Sequence, residues 1–208
     1  MDGTLLDSER LWDTALRGLA ERLGGTVSEP ARRAMIGRSF RDSMAVFYRD
    51  LGLAGRDRAA DDTWLAGRMA QLFATDLDWR PGAAGLVAEV RAARVPTALV
   101  TSTSRPLVEV ALRSTLGTRT FDVVVCGNEV SAPKPDPESY RTAAARLGTP
   151  IARCVAIEDS PSGLASALDA GAAVVGVQGE VPLPARPGVH LVASLTDVDL
   201  TLLRRLVT

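Results

Sequence analysis

The chain has 208 residues, of which 46% are apolar and 24% charged, and its formal net charge is -1. That length suits one sizeable domain, or one domain carrying an insertion, with a proper hydrophobic core. The near-neutral balance and an aromatic content of 4% exclude a polybasic or base-stacking surface, so neither nucleic acid nor an anionic membrane is expected as a partner. No apolar stretch approaches a membrane span and no signal-peptide pattern opens the sequence, so a soluble, cytoplasmic setting is the expectation.

Residues 8–78 read as helical throughout. Leu11, Ala15, Leu16, Leu19 and Leu23 recur at helical spacing before Gly24-Gly25, which stops the helix. Met44, Phe47, Tyr48 and Leu51 form a second apolar stripe, and Trp64, Met69, Leu72 and Phe73 a third. From Pro81 onward the pattern alternates. Helices are predicted around Leu86–Val90 and over 108–116, 140–147 and 163–170; strands over 97–100, 122–125, 154–157 and 173–177, with a short last one at 190–192.

Continuous apolar strands separated by helices indicate a parallel sheet covered on both faces. The fold class is therefore α/β, with a parallel-sheet core over residues 81–208 and residues 8–78 as an all-helical insertion near its N-terminus. Cys126 and Cys154 lie in apolar strand-like runs and read as buried free thiols. His190 has no companion for a metal site and reads as a structural or surface residue.

Chemistry in open parallel sheets collects beyond the carboxyl ends of the strands, and four features fall there. Asp2-Gly3-Thr4 suits a tight turn. Thr101-Ser102, directly after a strand and before a helix, offers hydroxyls and free N–H groups to an anion; alternatively, Thr103 or Ser104 only caps that helix. Lys134 is flanked by Pro133 and Pro135, with Asp136 as a cap and Pro137 at the first helical position. Such a stiff mount suits a fixed cation facing a phosphate. Glu158-Asp159 ends an apolar strand, where two carboxylates are costly without a cation. Hard oxygen ligands with no histidine or thiol beside them point to Mg2+, the alternative being an N-capping pair.

In this order, Asp2-Gly3-Thr4, Thr101-Ser102, Lys134 and Glu158-Asp159-Ser160 resemble the four motifs of the haloacid dehalogenase-like superfamily. Within it, the chain resembles the β-phosphoglucomutase-like sugar phosphatases with a helical cap. Asp7-Ser8-Glu9 leading into the cap, Pro81-Gly82 leaving it, and Gly163, Ala167 and Ala170-Gly171 extend the likeness over nearly the whole chain.

The resemblance implies a Rossmann-like core of residues 1–7 and 79–208 with residues 8–78 as its helical cap. It also implies a Mg2+-dependent phosphohydrolase that works through an aspartyl-phosphate on a small phosphorylated metabolite, a sugar or polyol phosphate. Asp2 matches the second aspartate of the family's Asp-x-Asp-Gly-Thr motif, the general acid and base, whose main-chain carbonyl binds the metal. Thr101 and Ser102 would hold phosphoryl oxygens, and Lys134 would neutralise charge on the phosphoryl group and the nucleophile. Asp159, with Glu158 directly or through water, would hold Mg2+. Arg38 or Arg41, in or beside the cap loop Ile36-Gly37-Arg38-Ser39, would bind substrate hydroxyls or a second phosphate; the plain alternative is a pair of surface arginines. Trp12 stands where the mutase branch has a histidine, which favours hydrolysis.

The family's nucleophile is the first aspartate of that motif and ends its first, central strand; both would precede Met1. The expectation is an upstream apolar strand ending in Asp, with negligible phosphatase activity from the 208-residue chain alone. The competing readings are a catalytically dead binding or sensor protein and a phosphomutase. A monomer or weak dimer is expected.

Overall fold

The computed structural model describes residues 1–35, 40–179 and 181–207. Four helices come first, α1 (Glu9–Arg22), α2 (Glu29–Met35), α3 (Phe40–Asp50) and α4 (Ala59–Thr75), and they fill the stretch read as all-helical. Then helices and strands alternate: α5 (Ala83–Ala92), β1 (Ala98–Val100), α6 (Arg105–Ala111), β2 (Val123–Val125), α7 (Glu138–Arg146), β3 (Val155–Glu158), α8 (Pro161–Ala170), β4 (Ala173–Val177), β5 (Val189–Val192) and α9 (Leu200–Arg205).

Among the described residues the ladders between these strands are all parallel, in keeping with continuous apolar strands. β1 pairs with β2, Leu99 opposite Val124. β3, β4 and β5 form a second ladder, with Ile157 opposite Val175 and Val175 opposite His190. Because neighbouring side chains of a strand point to opposite faces, Val174 packs with Leu164 and Ala167 of α8 while Val175 and Val177 pack with Leu86 of α5 and Leu202 of α9. The sheet is thus covered on both sides.

Among the described residues no strand joins the two ladders. Residues 1–4 reach across at their carboxyl ends instead: Asp2 bonds to Thr103 beyond β1, and Thr4 to Asp159 beyond β3.

The helical segment is tied to the sheet by two antiparallel passes. Leu6 bridges Trp79, the Asp7 amide donates to Asp78 at 2.9 Å, and the Arg80 amide to Leu5 at 2.8 Å. Its apolar stripes (Leu11, Ala15 and Leu19; Met44 and Phe47; Met69 and Phe73) run without a break into Leu107, Val108 and Ala111 of α6. The sequence did not foretell that continuity.

Three local expectations need correction. The predicted helix 108–116 is α6, which starts earlier at Arg105, followed by a π-type turn over Leu112–Leu116. Pro137 is the N-cap of α7 rather than its first helical residue, although the Asp136 carboxylate still accepts from the Glu138 amide at 2.9 Å. Cys126 is fully buried, but Cys154 is only partly so. Both thiols are free, and His190 is exposed on β5.

Candidate active site

Asp2 opens a tight turn. The Gly3 amide donates to Leu6 at 3.0 Å and the Leu5 amide to Met1 at 2.9 Å. Gly3 has φ +68°, and a Cβ there would sit 2.3 Å from Asp159 Oδ2. Only glycine combines that left-handed backbone with so close an approach of a carboxylate. Both oxygens of the Asp2 carboxylate are held by hydroxyls: Ser8 Oγ donates to Oδ1 at 2.8 Å and Thr103 Oγ1 to Oδ2 at 2.7 Å. Ser8 is fully buried where the chain enters α1. The capping alternative for Thr103 therefore fails. Ser104 is the N-cap of α6, without a side-chain cap bond, and Thr103 spends its hydroxyl on Asp2.

Thr101 follows β1 and is 4% exposed, its amide donating to Val125 at 3.0 Å. Its hydroxyl accepts from the Thr103 amide at 3.1 Å, so the loop closes on itself beneath Asp2. Ser102 is exposed. Its carbonyl lies where a Cβ on Gly127 would approach to 2.1 Å, which presses this loop against the segment after β2.

Lys134 reaches across from the loop before α7. Its Nζ lies 2.6 Å from Glu158 Oε1 and 3.3 Å from the Val100 carbonyl, over the Tyr140 ring at 4.9 Å from its centroid. The Tyr140 hydroxyl also donates to Glu158 Oε1. Burial pushes the Glu158 carboxyl up, but the Lys134 ammonium and these hydrogen bonds outweigh it and hold the group below its ordinary value. Burial and then the neighbouring Glu158 carboxylate push the Tyr140 hydroxyl well up, so it stays a donor. Gly163, in the first turn of α8, is needed for space: a Cβ there would stand 2.0–2.5 Å from the Glu158 carboxyl atoms.

Asp159 differs from its neighbour. It accepts a hydrogen bond from Thr4, and among the described residues it forms no ion pair. Burial, reinforced by the adjacent Glu158 carboxylate, raises its pKa above the ordinary value. A partly buried carboxylate held up this way beside a second one fits a divalent cation bound through oxygen. The described residues contain no group of three or more His, Cys, Asp or Glu side chains placed to share a metal, so further donors would be main-chain oxygens and water, which suits Mg2+.

Thus Asp2, Thr101, Ser102, Lys134, Glu158 and Asp159 come together at the carboxyl ends of β1 and β3. Arg41 is exposed in the first turn of α3; Arg38, with the rest of the loop 36–39, lies outside the described residues. Sequence reasoning named Thr4, Ser8 and Thr103 without their carboxylate partners and missed Tyr140. Only their hydroxyl types, in or beside the motifs, could have signalled the bonds of the first three.

Residues 1–171 match the family model described as haloacid dehalogenase-like hydrolase, and the chain belongs to that family. Hexitol phosphatase A of Escherichia coli is 32% identical over 205 residues, covering 97% of this chain and 91% of that protein. A phosphorylated carbohydrates phosphatase of Thermotoga maritima is 31% identical over 176 residues, 82% of this chain and 79% of its own length. The crystal structure of CbbY from Rhodobacter sphaeroides in complex with phosphate superposes with a TM-score of 0.83 at 30% identity, covering 95% of this chain and 92% of that one. No helix among the described residues is long and apolar enough to cross a membrane.

Proposed function

We propose that this chain carries the site of a Mg2+-dependent phosphohydrolase acting on a small sugar or polyol phosphate, with the nucleophilic carboxylate at the position preceding Met1. One observation carries the reading. Asp2 is pinned by Thr103 from the β1 side and by Ser8 from the entry to α1, while Lys134 and Asp159 stand at the neighbouring strand end. The relatives described as hexitol and carbohydrate phosphatases support the substrate class.

In this reading Thr101 and the Ser102 main chain hold phosphoryl oxygens, and the Lys134 ammonium offsets their charge. Phosphoryl transfer asks for little beyond such positioning and charge neutralisation. Asp2 gives a proton to the leaving oxygen, then takes one from the attacking water. Its two hydroxyl donors fix the plane of the carboxylate, which matters because misplacement by about an angstrom costs rate steeply. Asp159, the Asp2 main-chain carbonyl and Glu158 through water would hold Mg2+, which supplies further charge neutralisation on the phosphoryl group. Residues 8–78 act as a cap over this site, and residues 1–7 and 79–208 as its core.

The test compares the 208-residue chain with a version extended by its own upstream residues, using p-nitrophenyl phosphate and a panel of sugar and polyol phosphates with Mg2+. The expected result is negligible turnover by the shorter chain and Mg2+-dependent hydrolysis by the longer one. Robust turnover by the 208-residue chain refutes the placement of the nucleophile, and an inactive extended chain refutes the phosphohydrolase reading.

A further inference from the structure

Among the described residues only two large apolar side chains are exposed, Phe40 at 52% and Val95 at 36%. Phe40 continues the stripe of α3 that Met44 and Phe47 bury at helical spacing. The stripe therefore runs on past the packed core, and packing alone does not explain a ring at its end. That ring meets Trp12, with centroids 5.8 Å apart and planes tilted by 51°.

Trp12 ties the pair to the site. It lies in the first turn of α1, and its amide donates to the Ser8 carbonyl at 3.0 Å. Residues four apart share one helical face, so Trp12 stands directly above Ser8, about 6 Å along the axis. Ser8 in turn donates to Asp2. Helical side chains lean toward the N-terminus of their helix and cover the turn below. The indole thus leans back over the turn that carries Ser8.

We infer that Trp12 and Phe40 form a specificity wall that stacks on the carbon skeleton of the sugar or polyol esterified to the phosphate. The inference rests on the phosphohydrolase reading and assigns the part of the site that reads the leaving group. A polyol chain presents C–H faces between its hydroxyls. Aromatic faces carry partial negative charge and attract such C–H groups, and the indole N–H donates to a hydroxyl at the edge. Inorganic phosphate has no carbon skeleton, so it binds below the wall without touching it.

Calorimetric titration in Mg2+ with two probes, a hexitol 6-phosphate and inorganic phosphate, tests this on the wild type, Phe40→Ala, Phe40→Tyr and Trp12→Ala. Phe40→Ala should weaken hexitol phosphate about tenfold and change inorganic phosphate less than twofold, and Phe40→Tyr should restore most of the loss. Trp12→Ala should weaken the hexitol phosphate at least as much. Equal weakening of both probes signals general disruption of the cap and overturns the inference, as does unchanged hexitol phosphate affinity. A wild type that binds neither probe defeats the phosphohydrolase reading and the inference with it. Retained binding of inorganic phosphate separates that outcome from failure of the wall alone.

Discussion

Asp61 lies in the first turn of α4, is 2% exposed, and is the hub of a small polar cluster inside the N-terminal helical segment. Arg56 Nε donates to Oδ2 at 2.9 Å, and the Tyr48 hydroxyl donates to the same oxygen at 3.0 Å. Asp61→Asn keeps the shape and one acceptor but removes the charge. The Arg56 hydrogen bond, helped by that of Tyr48, holds the Asp61 carboxyl below its usual 3.8 despite burial. A hydrogen bond to a charged group contributes about 1.5–3 kcal/mol. Arg56 is 43% exposed, so water takes over part of its bonding, and the loss should fall near 2 kcal/mol. For a chain of this size that lowers the thermal midpoint by roughly 4–8 °C. The sign with pH follows from the depressed pKa. The stabilisation is fully present above the unfolded value and is lost as pH falls through the lower folded value. Calorimetry of both proteins from pH 7 downward should show a constant gap to about pH 5 that closes below pH 4. A gap absent at pH 7, or undiminished at pH 3, refutes the reasoning.

Lys134→Met should destabilise the fold by about 3–5 kcal/mol, because it leaves the buried Glu158 carboxylate without its cation; a change under about 1 kcal/mol in urea unfolding would show that the pair is not desolvated. Gly163→Ala should cost about 1–3 kcal/mol, since the added Cβ forces Glu158 or the start of α8 to move, and an unchanged urea midpoint counts against the close approach at Gly163. Burial pushes the Cys126 thiol up to about 11, so a thiol reagent at pH 8 should label Cys154 first and reach Cys126 only on unfolding. Early labelling of Cys126 would mean that the contact between the helical segment and α6 opens readily.

The strands were legible because a strand buried on both faces must be apolar at every position, and β2 to β4 each lie within a residue of the expected limits. β3 extends to Glu158 because Lys134 and Tyr140 meet that carboxylate and let it stay buried in register with Gly176. The four N-terminal helices were legible from their stripes. Their continuity with α6 was not, because an apolar stripe records that a face is covered and not what covers it. The site divides in the same way. Asp2, Thr101, Lys134 and Asp159 sit in local patterns that can be read along the chain. Thr103 reaches a partner 101 residues away and Thr4 one 155 residues away, and hydrogen bonds of that span leave no periodicity.

Glu158 and Asp159 show how far neighbouring residues of one type can diverge. The sequence offers both as metal ligands, Glu158 directly or through water. Successive residues at a strand end face opposite ways, and here one side holds Lys134 and Tyr140 while the other holds Gly3 and Thr4. Glu158 is accordingly held below the ordinary carboxyl value and Asp159 above it. Carboxylates whose environments drive them apart take different roles. Glu158 already has a cation in Lys134, which fits the proposed reading that it would reach the metal only through water. Asp159 has a carboxylate neighbour, and the attraction of the Met1 ammonium and the Thr4 hydrogen bond only partly offset its burial, so in the proposed reading it is the carboxylate that would hold the divalent ion directly. The divergence rests on two glycines, Gly3 and Gly163, each leaving room where a Cβ would strike one of the two carboxylates.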